Sequence, residues 1–328
     1  MIENGIALSN EDFLLDCGKH WVLINGKTLK KRVLELNCRL QLISSDRTSA
    51  LAVRGNAILC VDLNTFHQSE HSILDSTYNI DSVKKSADGI ALSFIATRGQ
   101  DSNHTIGRLS LGGMHVEKTW LLDVDEFGTS VMQTCHGECF LTGLDDRIAN
   151  TTRLRSAISG EVVWDFNGVA SIPLNHIDRF VRCRIDGEID GSVSVELYDY
   201  KYTKITARKY GNPPFLIRSS PSGRFFSVET RTSWSINSSQ NGESVFDGIE
   251  TSRLFFSPTS EFAVRLFGTG KKNRRVEVYD LRADVPRILC NTPSKAIYDH
   301  IVFSEDHRAL LLCKLDLHLQ LEVLQMNI

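Results

Sequence analysis

The chain has 328 residues, of which 41% are hydrophobic, and a formal net charge of −3. That is enough for one large domain or two ordinary domains with a sizeable core. The slightly acidic balance argues against a broadly basic nucleic-acid footprint. No apolar run approaches the roughly 18 residues that cross a bilayer.

The N-terminal segment "MIENGIALSNEDFLLD" does not have the pattern of a secretory signal. It carries acids where a signal peptide has a basic start, and it lacks a long apolar centre. We therefore expect a cytoplasmic protein. The eight cysteines form no C-x-x-C pair, and most of them lie in apolar runs. In a reducing compartment such cysteines are expected as free, buried thiols.

Short alternating runs dominate the chain, in the order "HWVLIN", "RLQLIS", "SVSVELY", "RRVEVYDL" and "LQLEVLQM". Turn residues separate such runs at intervals of roughly 8–12 residues. No stretch of about 15 residues has the i, i+3, i+4, i+7 apolar spacing of an amphipathic helix. The sequence therefore predicts an all-β protein with many short strands.

A repeat organises these strands: a polar turn cluster is followed by an apolar strand and then by an alternating strand. The turn clusters begin at Ser9, Ser44, Ser86, Cys135, Asn175, Ser220, Ser257 and Ser304. The alternating strands end near Asn25, Asp62, Leu111, Ala157, Asp199, Asn237, Asp280 and Met326. The mean step is about 43 residues, the period of a four-stranded propeller blade. Since one blade cannot bury both of its faces, we predict a single closed β-propeller over residues 1–328, closed where the N- and C-terminal strands meet.

Two stretches, "FFSPTSEFAVRLFGTGKKNRRVEVYDL" and "IRSSPSGRFFSVETRTSWSINSSQNGES", resemble WD-repeat β-propellers. Ser257-Pro258 and Ser220-Pro221-Ser222-Gly223 stand where that family turns between its strands a and b. Tyr279-Asp280 and Tyr198-Asp199 stand where strand c ends on an aromatic residue and an aspartate. The glycine-histidine pair of the family is missing, and Trp164-Asp165 falls in a fourth strand. The resemblance is thus a pattern along the chain with degenerate motifs.

The number of blades depends on two opposing arguments. Eight repeat units can be counted, and the last of them stops after its third strand. In the WD-repeat family the N-terminal strands usually complete the C-terminal blade, so the resemblance implies seven blades. We predict seven or eight four-stranded blades, with the closure of the family favouring seven.

Three short motifs resemble metal sites. "RIDGEIDGSVSVELYDY" places acids at Asp186, Glu188 and Asp190 as a calcium loop does, but position 12 is a leucine and both flanks are strand-like. "HQSEH" from His67 matches an inverted zinc-protease motif, but it lies in a polar link and not on a helix. "CHGEC" from Cys135 coincides with a turn of the repeat. We interpret all three as turns or links and expect no metal and no cofactor.

The loops between strands b and c carry the candidate binding residues. All b–c loops of a propeller project from one face, and loops on a rigid scaffold often carry function. These candidates are mostly charged, with both signs present: Arg98, Asp101, His104, Asp145, Asp146, Arg147, Glu188, Asp190, Arg231, Lys271, Lys272, Arg274 and Arg275. We interpret them as a partner-binding surface. The alternative of a merely solvated rim stays open at this point.

Three functions are compatible with a propeller that shows no catalytic motif. The resemblance implies a non-catalytic scaffold that binds another protein or peptide through its face loops, as a monomer or within a larger complex. A hydrolase or lyase would need acids or histidines that converge in the central channel, and fold alone does not decide this. A dedicated inhibitor or immunity-type protein is the third. We predict the scaffold, with neither a membrane nor a nucleic-acid partner.

Overall fold

The computed structural model describes most of the chain, and all structural statements refer to this part. The described residues are 4–18, 20–44, 46–86, 90–99, 103–123, 125–134, 137–144, 152–166, 171–174, 177–185, 193–212, 214–250, 252–267, 275–282, 287–293, 298, 300–315 and 319–326. They form 31 strands and no helix, so the predicted all-β class is confirmed. No helix that could cross a membrane therefore occurs among them.

The strands form eight antiparallel sheets, numbered here in chain order. The chain divides into unit I, Met1–Glu35 with Ile172–Ile328, and unit II, Leu36–Ser171. In every sheet the strands follow one another in space as they do in sequence, so we call them a, b, c and d.

Unit II contains sheets 2, 3 and 4. Sheet 2 has β5 (Arg39–Ile43), β6 (Ser49–Arg54), β7 (Ala57–Asp62) and β8 (Gln68–Ser72). Sheet 3 has β9 (Tyr78–Lys85), β10 (Ala91–Arg98), β11 (Asn103–Ser110) and β12 (His115–Leu121). Sheet 4 has β13 (Glu126–Thr134), β14 (Gly137–Leu144), β15 (Thr152–Ser156) and β16 (Val162–Phe166).

Unit I contains sheets 1, 5, 6, 7 and 8. Sheet 1 has β1 (Asn4–Ala7), β2 (Asp12–Asp16), β3 (Trp21–Asn25) and β4 (Lys31–Leu34). Sheet 5 has β17 (Ser171–Pro173), β18 (Arg179–Ile185), β19 (Val193–Asp199) and β20 (Lys204–Tyr210). Sheet 6 has β21 (Pro214–Ser219), β22 (Phe225–Thr230), β23 (Trp234–Ser238) and β24 (Ser244–Gly248). Sheet 7 has β25 (Ser252–Phe256), β26 (Phe262–Phe267), β27 (Arg275–Asp280) and β28 (Arg287–Pro293), and sheet 8 has β29 (His300–Phe303), β30 (Ala309–Leu315) and β31 (Leu319–Gln325).

The repeat read from the sequence corresponds to these sheets. Every c strand ends within one residue of its predicted end, at Asn25, Asp62, Ser110, Ser156, Asp199, Ser238, Asp280 and Gln325. The count of eight repeat units is therefore confirmed. The N-terminal strand β1 begins sheet 1 and does not complete sheet 8, so the seven-bladed closure that the resemblance favoured is not what the described residues form. The single closed domain stays a prediction.

One turn chemistry recurs between strands a and b. The side chain of a serine accepts a hydrogen bond from the backbone N–H of the residue five positions later, at 2.8–3.1 Å. The backbone N–H of the serine donates to the carbonyl of that later residue. The serines are Ser44, Ser86, Ser220, Ser257 and Ser304. Three residues after four of them the chain has a φ of 57° to 73°, at Arg47, Gly223, Ser260 and His307. This left-handed residue reverses the chain, and the serine replaces a missing backbone partner. The polar clusters of the sequence are therefore structural.

The a strand of each sheet has an edge that no other strand of its sheet covers, and in sheets 3, 4 and 7 side chains of the preceding sheet bond to that edge. In unit II, Arg39 on β5 donates from Nη2 to the carbonyl of Ile80 on β9, at 2.6 Å. Gln41, also on β5, accepts at Oε1 from the N–H of Val83, at 3.0 Å. Buried backbone groups need such partners, so these bonds join one sheet to the next.

Two further sheet pairs use the same arrangement. Lys84 on β9 donates from Nζ to the carbonyl of Val131 on β13, at 3.2 Å. In unit I, Arg218 donates to the carbonyl of Leu254 on β25, while Glu229 accepts from the N–H of the same leucine at 3.2 Å. One residue of an uncovered edge is thus satisfied on both of its backbone groups by an Arg–Glu pair of the neighbouring sheet.

Apolar layers between neighbouring sheets form the core. Sheets 1 and 8 share a cluster that includes Phe13, Leu15, Ile24, Val302 and Leu311. Sheets 7 and 8 share a second cluster, sheets 5 and 6 a third, and sheets 2 and 3 a fourth. Sheets 3 and 4 share a fifth cluster. Each sheet thus packs on a neighbour, as a stack of repeat units requires.

We predict that replacing Ser220 by alanine lowers the free energy of unfolding by about 1–2 kcal/mol, because the buried N–H of Phe225 loses its side-chain acceptor. Ser222→Ala in the same turn removes only a 3.3 Å bond to the exposed N–H of Arg224 and should cost a few tenths of a kcal/mol. Urea unfolding of both variants checks this. Equal costs would show that the turn does not depend on the buried bond.

Candidate protein-binding surface

We call the end of a sheet at which strand b leads into strand c its b–c end. The predicted binding residues that the structure describes lie at b–c ends, as expected. Arg98 ends β10, His104 lies on β11, Arg231 follows β22, and Arg275 begins β27. The other candidates lie outside the described residues: Asp101, Asp145, Asp146, Arg147, Glu188, Asp190, Lys271, Lys272 and Arg274. Their part in a binding surface stays a prediction.

In unit II, two candidates flank the b–c loop of sheet 3. The exposed Arg98 has its guanidinium carbon 5.7 Å from the centre of the Tyr78 ring on β9. The ring of the half-buried His104 is 6.2 Å from that of Phe127 on β13, and no polar group contacts its Nδ1. Arg98 is available to a partner, whereas His104 is packed between two sheets.

A buried carboxylate lies at the b–c end of sheet 4. Glu126 at the start of β13 is 1% exposed, and Arg155 on β15 binds both of its oxygens, at 2.8 and 2.6 Å. Burial alone would raise the pKa of Glu126, but hydrogen bonds from Arg155 and Thr142 hold it below its usual value. Arg153 adds an ion pair at 3.5 Å. The network fixes the start of β13 to β15.

In unit I, the b–c end of sheet 7 is built around Phe267. The guanidinium carbons of Arg265 and Arg275 lie 3.6 and 3.9 Å from the centre of its ring. Arg275 also pairs with Glu250 at 2.9 Å and with Glu277 at 3.0 Å. The sequence analysis placed Arg275 in a b–c loop together with Lys271 and Lys272. The structure shows that it is held in a stacked, ion-paired network.

The d–a connections lie at the same end of the sheets as the b–c loops, and sequence reasoning did not include them. The connection between sheets 6 and 7 contains Ile249, which is 87% exposed, the highest value among the exposed large hydrophobic residues described. The next residue, Glu250, pairs with Arg275 at 2.9 Å and with Arg265 at 3.7 Å. Ile249 is thus an apolar side chain on a fixed backbone. Strand order, had it been applied to these links, could have identified it.

At the b–c end of sheet 6 lies a buried carboxylate with one oxygen that has no hydrogen-bond partner. Glu229 at the end of β22 is 1% exposed; its Oε2 accepts from the N–H of Leu254, but its Oε1 has no hydrogen-bond partner. Arg218 is 3.8 Å away. Burial raises the pKa of Glu229 to about 7, although Arg218 acts in the opposite direction.

A separate concave site lies at the opposite end of sheets 5 and 6. A cavity of about 670 Å³ is lined by the a–b and c–d turns, including Arg179, Arg224 and Glu243. Arg179 donates to the carbonyls of Ser239 and Gln240, so its guanidinium is used to join the two sheets.

The remaining sequence motifs do not converge on a chemical site. The segment from His67 to His71, interpreted as a link, leads into and forms part of β8, the d strand of sheet 2. Asp186–Asp190 and Cys135–His136 lie outside the described residues. Within the described part of the chain, no group of three His, Cys, Asp or Glu could hold a metal ion. The six cysteines whose side chains are described are not joined in disulfides, and burial raises the pKa of Cys183 to about 11.

Comparison with known proteins gives the fold. No family model and no curated protein matches the sequence. The structure is similar to that of the Dos1 propeller, with a TM-score of 0.59 and 13% identity over 95% of this chain and 90% of that chain. It is also similar to Chaetomium thermophilum Sqt1 bound to the N-terminus of ribosomal protein L10 (TM-score 0.59, 10% identity, 94% and 93% covered). A third is the dihydro-heme d1 dehydrogenase NirN in complex with DHE (TM-score 0.60, 14% identity, 99% and 73% covered).

These likenesses show that the chain has the β-propeller fold that the repeat predicted. The WD-repeat-like character of that prediction is consistent with them. At 10–14% identity they show the fold alone, and the proteins of this fold include both a peptide-bound protein and a dehydrogenase.

We predict a pH-dependent contribution of Glu229 to stability. Its pKa of about 7 in the folded protein exceeds its ordinary value of 4.5, so the folded state binds the extra proton between these values. Stability from this group is therefore fully present below about pH 4.5 and is lost as the pH rises through about 7. Relative to wild type, Glu229→Gln should become more stable by up to about 3 kcal/mol between pH 5 and pH 8.

The measurement is urea unfolding of both proteins across this pH range. Glu243→Gln, which changes an exposed carboxylate in the c–d turn of the same sheet, is the control for the substitution itself. A flat difference for Glu229→Gln would mean that Glu229 is ionised in the folded state throughout.

Proposed function

We propose that the protein is a non-catalytic scaffold that binds another protein through the b–c ends of its sheets. The observation that carries this proposal is the b–c end of sheets 6 and 7. There, the almost fully exposed Ile249 lies beside the fixed charges of Glu250 and Arg275. An apolar contact with a charged rim is the usual composition of a protein interface.

Rigidity at this end supports the proposal. Arg265 and Arg275 stack on Phe267 and pair with Glu250 and Glu277. These contacts hold the d–a connection between sheets 6 and 7, and the base of the b–c loop of sheet 7, before a partner binds. A surface that is ordered in advance loses less conformational entropy on binding. Three basic residues precede Arg275 in the sequence: Lys271, Lys272 and Arg274. They would attract an acidic partner.

The known proteins of this fold are in keeping with such a role but do not identify the partner. Sqt1, one of them, is bound to the N-terminus of ribosomal protein L10. The buried carboxylates Glu126 and Glu277 are each paired with arginines within their own unit. These two carboxylates therefore serve the scaffold. The cytoplasmic location stays a prediction.

We predict that a photo-crosslinking amino acid at Ile249 forms adducts with a partner protein in cell extract. The same amino acid at Ile158, an exposed isoleucine in the c–d turn of sheet 4, should form none of these adducts. Reversing Lys271, Lys272 and Arg274 to glutamate should weaken the adducts from Ile249. Adducts from Ile158 in place of Ile249 would contradict binding through the b–c ends.

With the captured partner purified, the triple reversal should slow association at low salt. The effect should shrink towards about 0.5 M salt, where the Debye length falls well below 10 Å. Arg275 is left unchanged in this variant, because a glutamate there would face Glu250 and Glu277 and alter folding as well as binding. An unchanged association rate at low salt would remove the basic loop from the interface.

A further inference from the structure

Sheet 8 is the incomplete member of unit I. Every other sheet of the unit has a fourth strand, but among the described residues no strand pairs with the outer edge of β31. The c strands β3, β19, β23 and β27 each contain three or more buried residues. β31 contains none, and its apolar side chains Leu319, Leu321, Val323 and Leu324 are only half-buried. The position of one strand is therefore open.

The backbone of β31 presents a fixed set of groups to this open position. The carbonyl of Leu319 points outward, because it accepts a hydrogen bond from Lys31 on β4, at 2.6 Å. The N–H of Met326 points inward, because it donates to the carbonyl of Arg308 at 2.6 Å. Backbone direction alternates along a strand, so Leu321 and Val323 also direct their N–H and C=O groups outward.

The open edge is recessed between neighbouring sheets. On one side, Leu319, Leu321 and Val323 pack on the apolar cluster shared with sheet 1, and Lys31 of that sheet reaches β31. On the other side, Leu324 packs in the cluster shared with sheet 7, together with Leu289 of β28. Both β4 and β28 are fourth strands, so each extends one strand position, about 4.8 Å, farther out than β31.

We propose that the outer edge of β31 is a second binding site, which takes one extended segment of another protein as the fourth strand of sheet 8. The recess is one strand wide, which suits a single segment better than the edge of a second folded copy. The segment runs antiparallel to β31, as all neighbouring strands in these sheets do. It is rich in β-branched residues, because it covers the half-buried apolar row of β31.

Charge determines which end of the bound segment carries acidic residues. Lys31 donates a hydrogen bond to the carbonyl of Leu319, and a backbone N–H of the incoming segment displaces it. Its ammonium then needs a carboxylate, as does the exposed Lys30 beside it. In the antiparallel direction, the C-terminal end of the segment lies next to Leu319. We therefore expect acidic residues at that end. The site is separate from the b–c loops and does not depend on the function proposed for them.

The probe is a synthetic eight-residue peptide of alternating valine and threonine that ends in two glutamates. Hydrogen exchange of the amides of Leu321 and Val323, followed by NMR, should slow by about tenfold or more at saturating peptide. N-methylation of one alternate set of peptide amides should abolish binding, while methylation of the other set should not. If both methylated peptides bind, or neither the plain peptide nor its analogues protect these amides, strand addition is wrong.

A matched pair of variants tests the edge itself. Leu321→Pro and Leu321→Ala both lose side-chain packing, but only proline removes the outward N–H, without affecting the inward bonds to β30. Peptide binding should persist in the alanine variant and be lost in the proline variant, with both folded by thermal unfolding. Should the proline variant not fold, the two methylated peptides decide.

Lys31→Met tests the orientation. Wild type should bind the peptide with C-terminal glutamates more tightly than one with the glutamates moved to its N-terminus, and the variant should bind the two alike. A preference for the N-terminal acids would overturn the antiparallel arrangement. A wild-type protein that sediments as a dimer, and becomes a monomer in Leu321→Pro, would assign the edge to a second copy and overturn the proposal.

Discussion

The structure depends on how uncovered strand edges are satisfied. A four-stranded antiparallel sheet leaves one row of N–H and C=O groups along its first strand, and burying that row without partners costs roughly 1–3 kcal/mol per group. Here, long polar side chains of the preceding sheet supply the partners: Arg39 and Gln41, Lys84, and the Arg218–Glu229 pair. The contact between sheets is thus directional as well as apolar. An apolar layer alone would allow neighbouring sheets to slide.

The same requirement explains why buried charges occur beside binding loops. Glu126 with Arg155, and Glu277 with Arg265, lie at b–c ends, where strands stop and backbone groups lose their ladder partners. Arginine suits these places, because one planar group can bind a carboxylate and stack on an aromatic ring at once, as Arg265 does over Phe267 and Trp234. Order at the loop bases is therefore a consequence of how the sheets end.

Much of the fold could be predicted from the sequence, because its signals are local. The serine turns and the alternation of c strands act within about ten residues, and they placed every c-strand end within one residue. The number of sheets was harder, because the family resemblance implied a closure that the terminal strands β1 and β31 do not make. The role of Arg275 depends on contacts between distant segments, such as that between Glu250 and Arg275, which no spacing rule reveals.

The apolar layer between sheets 1 and 8 also bears on how the chain is made. Phe13 and Leu15 become covered only when Val302 and Leu311, almost the whole chain later, are present. At 5–20 residues per second on the ribosome, the interval is roughly 15 to 60 seconds. During that time the first sheet exposes an apolar face and two open strand edges, which are the features that chaperones bind. The order of synthesis therefore leaves sheet 1 in need of protection until sheet 8 has been made.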